Sequence, residues 1–105
     1  MSDAYTYRVT PAAARDIAEI ADYIAVELCA RESAVKIIDA MEAAIQRACR
    51  FPHAAAFVND PPLRRKGYRK LIVENYIILY LCDDADRIVN VMRVVYYARD
   101  YMKDI

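Results

Sequence analysis

With 105 residues, 58% of them hydrophobic and a single glycine, the chain has the size and apolar content for one folding unit with its own core. No Pro/Gly/Ser-rich linker divides it, and its composition excludes a long disordered tail. Residues 1–10 lack the charged-then-apolar pattern of a secretory signal, and the longest apolar run, residues 76–82, is far too short to span a bilayer, so a soluble cytoplasmic protein with no membrane partner is expected.

Charge is unevenly spread although it sums to zero. Residues 1–60 carry six Lys/Arg against nine Asp/Glu, and residues 61–105 carry nine against six, which makes the second half the candidate for anionic partners. The basic side chains peak in Arg64, Arg65, Lys66, Arg69 and Lys70, with Tyr68 among them. A solvated strand edge has the same composition.

In chain order, residues 5–9 alternate weakly and end at Thr10-Pro11, which reads as a short strand followed by a helix with Thr10 as N-cap and Pro11 in its first turn. Ile17, Ile20, Ala21, Ile24 and Leu28 recur at offsets of three and four, giving one apolar stripe that stops near Cys29. A short polar break follows, in which Ser33 is a candidate cap. A second helix is expected over residues 34–50, with Ile38, Met41, Ile45, Ala48 and Cys49 as its stripe. So short a connection makes the pair an antiparallel hairpin.

Phe51-Pro52 ends the second helix, because the residue before a proline disfavours the helical region, and the segment to Pro62 reads as a loop. Residues 64–73, 76–82 and 87–97 are rich in β-branched residues and tyrosine, and the connections between them are short, so they read as an antiparallel meander. Residues 76–82 are apolar on both faces, as in a central strand. In residues 64–73 the alternation is mixed, with Arg69 sharing a face with Leu71 and Val73, and Lys70 with Tyr68 and Ile72. The expected class is α+β, in the order β-α-α-β-β-β with a few helical residues over 98–105, the helical hairpin packed on the sheet.

Cys29, Cys49 and Cys82 are far apart and odd in number, which reads as buried reduced thiols. No His/Cys/carboxylate cluster has ligand spacing, so neither a metal nor any other cofactor is expected. His53, the only histidine, reads as a solvated loop residue.

The order of elements, together with the hairpin ending in Phe51-Pro52, the segment Arg65-Lys-Gly-Tyr-Arg-Lys-Leu71, the run Asn75-Tyr-Ile-Ile-Leu-Tyr80 before an acidic turn, and Val91-Met-Arg-Val-Val-Tyr-Tyr-Ala-Arg-Asp-Tyr101, resembles the RelE/ParE superfamily of toxins over nearly the whole chain. The resemblance implies a toxin of a type II toxin–antitoxin system, held inactive by a cognate antitoxin. It also implies one of two targets: RelE-like members cut mRNA in the ribosomal A site, and ParE-like members inhibit DNA gyrase.

Ribosome-dependent mRNA cleavage is the leading expectation, with an endoribonuclease site built on Arg93, Tyr96 and Arg69. Target binding then falls to Arg65, Lys70, Tyr97, Arg99 and Tyr101. Cleavage through the 2′-hydroxyl needs a base, an acid and cations for the developing phosphorane charge, and arginine suits the cationic role by its fixed fork. A tyrosine acting as base would need its phenol pulled down by crowded positive charge. This chain departs from the RelE-like pattern at Ile77, where many such nucleases carry an arginine, and in having no histidine just before Tyr96. The alternatives are a gyrase inhibitor without catalysis, and an inactive paralogue that binds only the antitoxin.

Overall fold

The computed structural model describes residues 4–97. The expected final helix, and with it Arg99 and Tyr101, lies outside the described residues. Strand β1 (Thr6–Val9) leads into helix α1 (Pro11–Asp22), where the Thr10 Oγ1 accepts the Ala13 N–H at 3.1 Å and Pro11 occupies the first turn. The apolar stripe does not continue as α-helix: residues Tyr23–Glu27 widen into a single π-turn, and Cys29, with φ of +50°, ends it. Helix α2 (Arg31–Arg50) starts three residues earlier than the expected Ser33 cap allows. Its N-cap is Ala30, with no side-chain bond, and Ser33 lies inside the first turn. The reason is the tightness of the connection, in which the Ala30 N–H is taken by the Ile24 carbonyl.

The expected loop to Pro62 and the strand beginning at residue 64 both need correction. Asp60 caps a short helix α3 (Pro61–Arg65), its carboxylate accepting the Leu63 N–H at 3.2 Å. Gly67, at φ +93°, closes that helix. Its N–H donates to the Arg64 carbonyl and that of Tyr68 to the Leu63 carbonyl, the pair of bonds that needs a left-handed residue after the C-cap. Only then does strand β2 (Arg69–Val73) begin, followed by β3 (Tyr76–Asp83) and β4 (Ile88–Tyr96).

The sheet order is β1-β4-β3-β2. The last three strands form the expected antiparallel meander, and β1 joins parallel to β4. The hairpin covers one face: Ala13, Met41, Ala44 and Ile45 pack on Val73, Ile78, Val91 and Val94. The opposite face is covered as well, by Val58, Leu63 and Tyr68 against Ile77, Leu79 and Val95. Residues 77–80 of β3 are therefore buried on both faces, and burial of Tyr80 pushes its phenol up to about 12 while its O–H donates to the Pro52 carbonyl. Of the cysteines, Cys49 is buried, Cys82 is half-buried and Cys29 is exposed, against the expectation that all three are interior; none is in a disulfide. Among the described residues no helix is long and apolar enough to cross a membrane.

Candidate functional site

Strand β1 pairs with only the first half of β4, through Val91, so the rest of that edge needs other partners. Helix α1 supplies them. Thr10 Oγ1 donates to the Met92 carbonyl at 3.0 Å, and Asp16 Oδ2 accepts the Val94 N–H at 2.9 Å. The register between β3 and β4 slips by one residue at Leu79/Tyr80, leaving Met92 as the extra residue of a bulge just before Arg93. There the Arg93 guanidinium meets the same carboxylate, Nε to Oδ2 at 2.7 Å and Nη2 to Oδ1 at 3.1 Å. Asp16 thus holds a strand N–H and two donors on one edge of a guanidinium at once, with its side chain only 12% exposed.

Beside this pair runs a groove of about 680 Å³ between the end of the hairpin and the ends of β3 and β4. Tyr23 and Leu28 from the π-turn form one wall, and Tyr76 and Tyr96, whose rings meet edge to face at 5.7 Å, form the other. Tyr23, Leu28 and Tyr96 are about half exposed (54%, 55% and 46%), an uncommon concentration of open apolar surface on so small a protein. The Tyr76 phenol is raised above its ordinary value by burial first, then by Tyr96 and Tyr23. That is the wrong direction for a general base. The N–H of Tyr97, next along the chain, donates to the Asn75 carbonyl at 2.6 Å.

The remaining candidate residues lie elsewhere. Arg69 pairs in register with Tyr80 and Tyr96 with Tyr76, so they sit four residues apart along β3, a separation of roughly 14 Å. The Arg69 Nη1 donates to the carbonyls of His53 and Ala55 at 3.1 and 2.6 Å, and its guanidinium stacks 3.9 Å above the Phe57 ring. This arginine fastens the loop after α2. Lys70 pairs with Leu79, which belongs to the face away from the hairpin, and Arg65 is exposed on α3, whose Leu63 packs on that same face. Of the described candidates, then, Arg93 and Tyr96 share the groove, while Tyr97 is not among its lining residues and Arg69, Lys70 and Arg65 do not join them.

Asp16, Tyr23, Leu28 and Tyr76 are parts of the groove that sequence reasoning missed. Asp16 registers there only as a polar residue off the helix stripe, and nothing in its spacing points to a partner on the last strand. An exposed Tyr23 beside an exposed Leu28 becomes visible only once the stripe is known to break at a π-turn.

A family model described as ParE toxin of type II toxin-antitoxin system, parDE, matches residues 7–101. Among solved structures, the chain is similar to one from the chromosomal ParDE toxin–antitoxin system of P. aeruginosa, with a TM-score of 0.71 and 19% identity, covering 90% of this chain and 98% of that one. It is also similar to one from the toxin–antitoxin complex RelBE2 of Mycobacterium tuberculosis, with a TM-score of 0.60 and 22% identity, covering 89% and 98%. No curated protein matches it.

Proposed function

Because this chain belongs to the ParE toxin family of type II toxin–antitoxin systems, we propose that it arrests growth by binding DNA gyrase rather than by cutting mRNA, and that a cognate antitoxin neutralises it in the cytoplasm. The observation that carries this reading is the commitment of the would-be catalytic cations to the fold. Arg93 is bound at two points by Asp16, and Arg69 is bound to the main-chain carbonyls of His53 and Ala55. A guanidinium already matched to a carboxylate is a poor receiver for phosphorane charge, which needs donors left available and aimed at the reacting group.

Inhibition by binding needs no such donors. It needs a desolvatable surface with aromatic and apolar anchors, which the Tyr23/Leu28/Tyr76/Tyr96 groove supplies. The absence of an arginine at Ile77, which is buried on the covered far face, points the same way.

The test is to induce the chain in bacteria and follow labelled thymidine and labelled amino acid incorporation side by side, with gyrase supercoiling assayed against the purified protein. Early loss of thymidine incorporation and of supercoiling is expected. Early loss of translation with cut mRNA and unaffected supercoiling overturns the reading, and unhindered growth assigns the chain to the inactive, antitoxin-binding class.

A further inference from the structure

At the end of the sheet opposite the groove, among the described residues, three side chains with metal-ligating atoms converge from different parts of the sequence. His53 comes from the loop after α2, Cys82 from the end of β3 and Asp84 from the β3–β4 turn, and their donor atoms all lie within 4.8 Å of one another. We propose that His53, Cys82 and Asp84 form a site for one thiophilic divalent cation of the zinc class, clamping the loop after α2 to the β3–β4 turn. The proposal is independent of the target assigned above.

The donor set selects the ion. A thiolate, an imidazole nitrogen and a carboxylate oxygen together suit zinc, whereas magnesium and calcium call for oxygen alone. A tetrahedral zinc with ligand distances of about 2.0–2.3 Å sets its donors about 3.5 Å apart. His53 Nε2 and Asp84 Oδ1 stand 2.8 Å apart, so they need only spread slightly, and the sulfur already lies within 4.8 Å of both. Both side chains are free to make that adjustment, being 54% and 62% exposed. Cys82 is held by β3 and is the fixed point.

The surroundings resemble the supporting shell of a metal site. The Tyr5 O–H donates to Asp84 Oδ1 at 2.7 Å and its ring meets that of His53 edge to face at 6.1 Å, so one phenol orients two of the three donors. Cys82 Sγ rests 3.3 Å from the Pro52 carbonyl. On binding, the thiol proton passes to solvent, the proton that His53 Nε2 shares with Asp84 moves through solvent to Nδ1 so that Nε2 can take the metal, and water completes the fourth position.

The experiment titrates the full chain, stripped with chelator and kept reduced by a phosphine, with Zn²⁺ by calorimetry and with Co²⁺ by absorption. One Zn²⁺ per chain, a raised melting temperature and a sulfur-to-cobalt charge-transfer band are expected. Cys82→Ser should abolish the band, while His53→Gln and Asp84→Asn should each weaken Zn²⁺ binding by more than about tenfold. Cys29→Ser, at an exposed cysteine in the helix connection, should change nothing. Should Cys82→Ser misfold, the two exposed variants decide the matter. Undiminished affinity in both of them, a band that vanishes with Cys29 instead, or no band in excess Co²⁺ overturns the proposal.

Discussion

Arg93 and Asp16, 77 residues apart in sequence, are joined by two hydrogen bonds of 2.7 and 3.1 Å at the point where strand β4 leaves its partner β1 and leans on helix α1. The same carboxylate takes the Val94 N–H, so this side chain, together with Thr10 on the Met92 carbonyl, stands in for the missing strand. Removing it leaves the Val94 N–H without that acceptor and takes the carboxylate away from a partly buried guanidinium. Asp16→Ala should therefore destabilise the fold by about 1–3 kcal/mol, and Asp16→Asn, which keeps one acceptor, by less. Urea unfolding of the three proteins measures this; a loss under roughly 0.5 kcal/mol for the alanine variant would mean the pair is only decorative.

Arg69 offers a second check on the division between structural and functional cations. Its bonds to the carbonyls of His53 and Ala55 and its stacking on Phe57 hold the segment between α2 and α3 against β2. Lysine cannot reproduce a forked, planar donor that also stacks. Arg69→Lys should loosen that segment nearly as much as Arg69→Ala, read as faster amide exchange over residues 53–58 with exchange in α1 unchanged. Protection equal to that of the unaltered chain in both variants would contradict the fastening role.

The hairpin and the meander are legible in the sequence because their signals are local. Thr10-Pro11 marks a helix start, Ile17, Ile20 and Ile24 mark a face, and residues 76–82 are apolar throughout because helices cover one side of β3 and α3 with its flanking loop covers the other. The mixed alternation of residues 68–73 has the same cause: Leu71 and Val73 face the hairpin while Tyr68 is buried on the other face, so no polar side exists to give the period away. Basic residues hid α3, although Asp60-Pro61-Pro62 is a sound start signal in retrospect. What could not be read is any role that depends on distant main chain. The acceptors of Arg69 are carbonyls 14 and 16 residues away, and the carboxylate that occupies Arg93 sits on the first helix. The same limit hides His53, Cys82 and Asp84, whose spacing matches no ligand motif until the fold brings them together.

At Gly67 a left-handed backbone closes the helix that covers the far face of β3. A Cβ there would find ordinary room, its nearest neighbour being Leu81 at 3.9 Å, so the cost of Gly67→Ala comes from φ +93° alone. A loss of roughly 1–2 kcal/mol is expected in thermal or urea unfolding, with Leu63 and Tyr68 partly uncovering the far face of β3. An unchanged midpoint would show that α3 does not depend on that closing turn.

Tyr96 separates docking from proton transfer most directly. If its phenol shuttles a proton, removal of the hydroxyl should be as damaging as removal of the ring. If the ring serves as an anchor in the groove, packed edge to face on Tyr76, the hydroxyl is dispensable. Tyr96→Phe should therefore keep most of the inhibition, while Tyr96→Ala, and Tyr23→Ala on the facing wall, should each weaken target binding by about tenfold or more. Both rings are about half exposed, so Tyr23→Ala should leave stability within roughly 0.5 kcal/mol, and Tyr96→Ala should cost little beyond its contact with Tyr76. Supercoiling inhibition titrated for the three variants reads the difference. Loss of toxicity in Tyr96→Phe at full stability would return the phenol to a catalytic role and the chain to the nuclease branch of its superfamily.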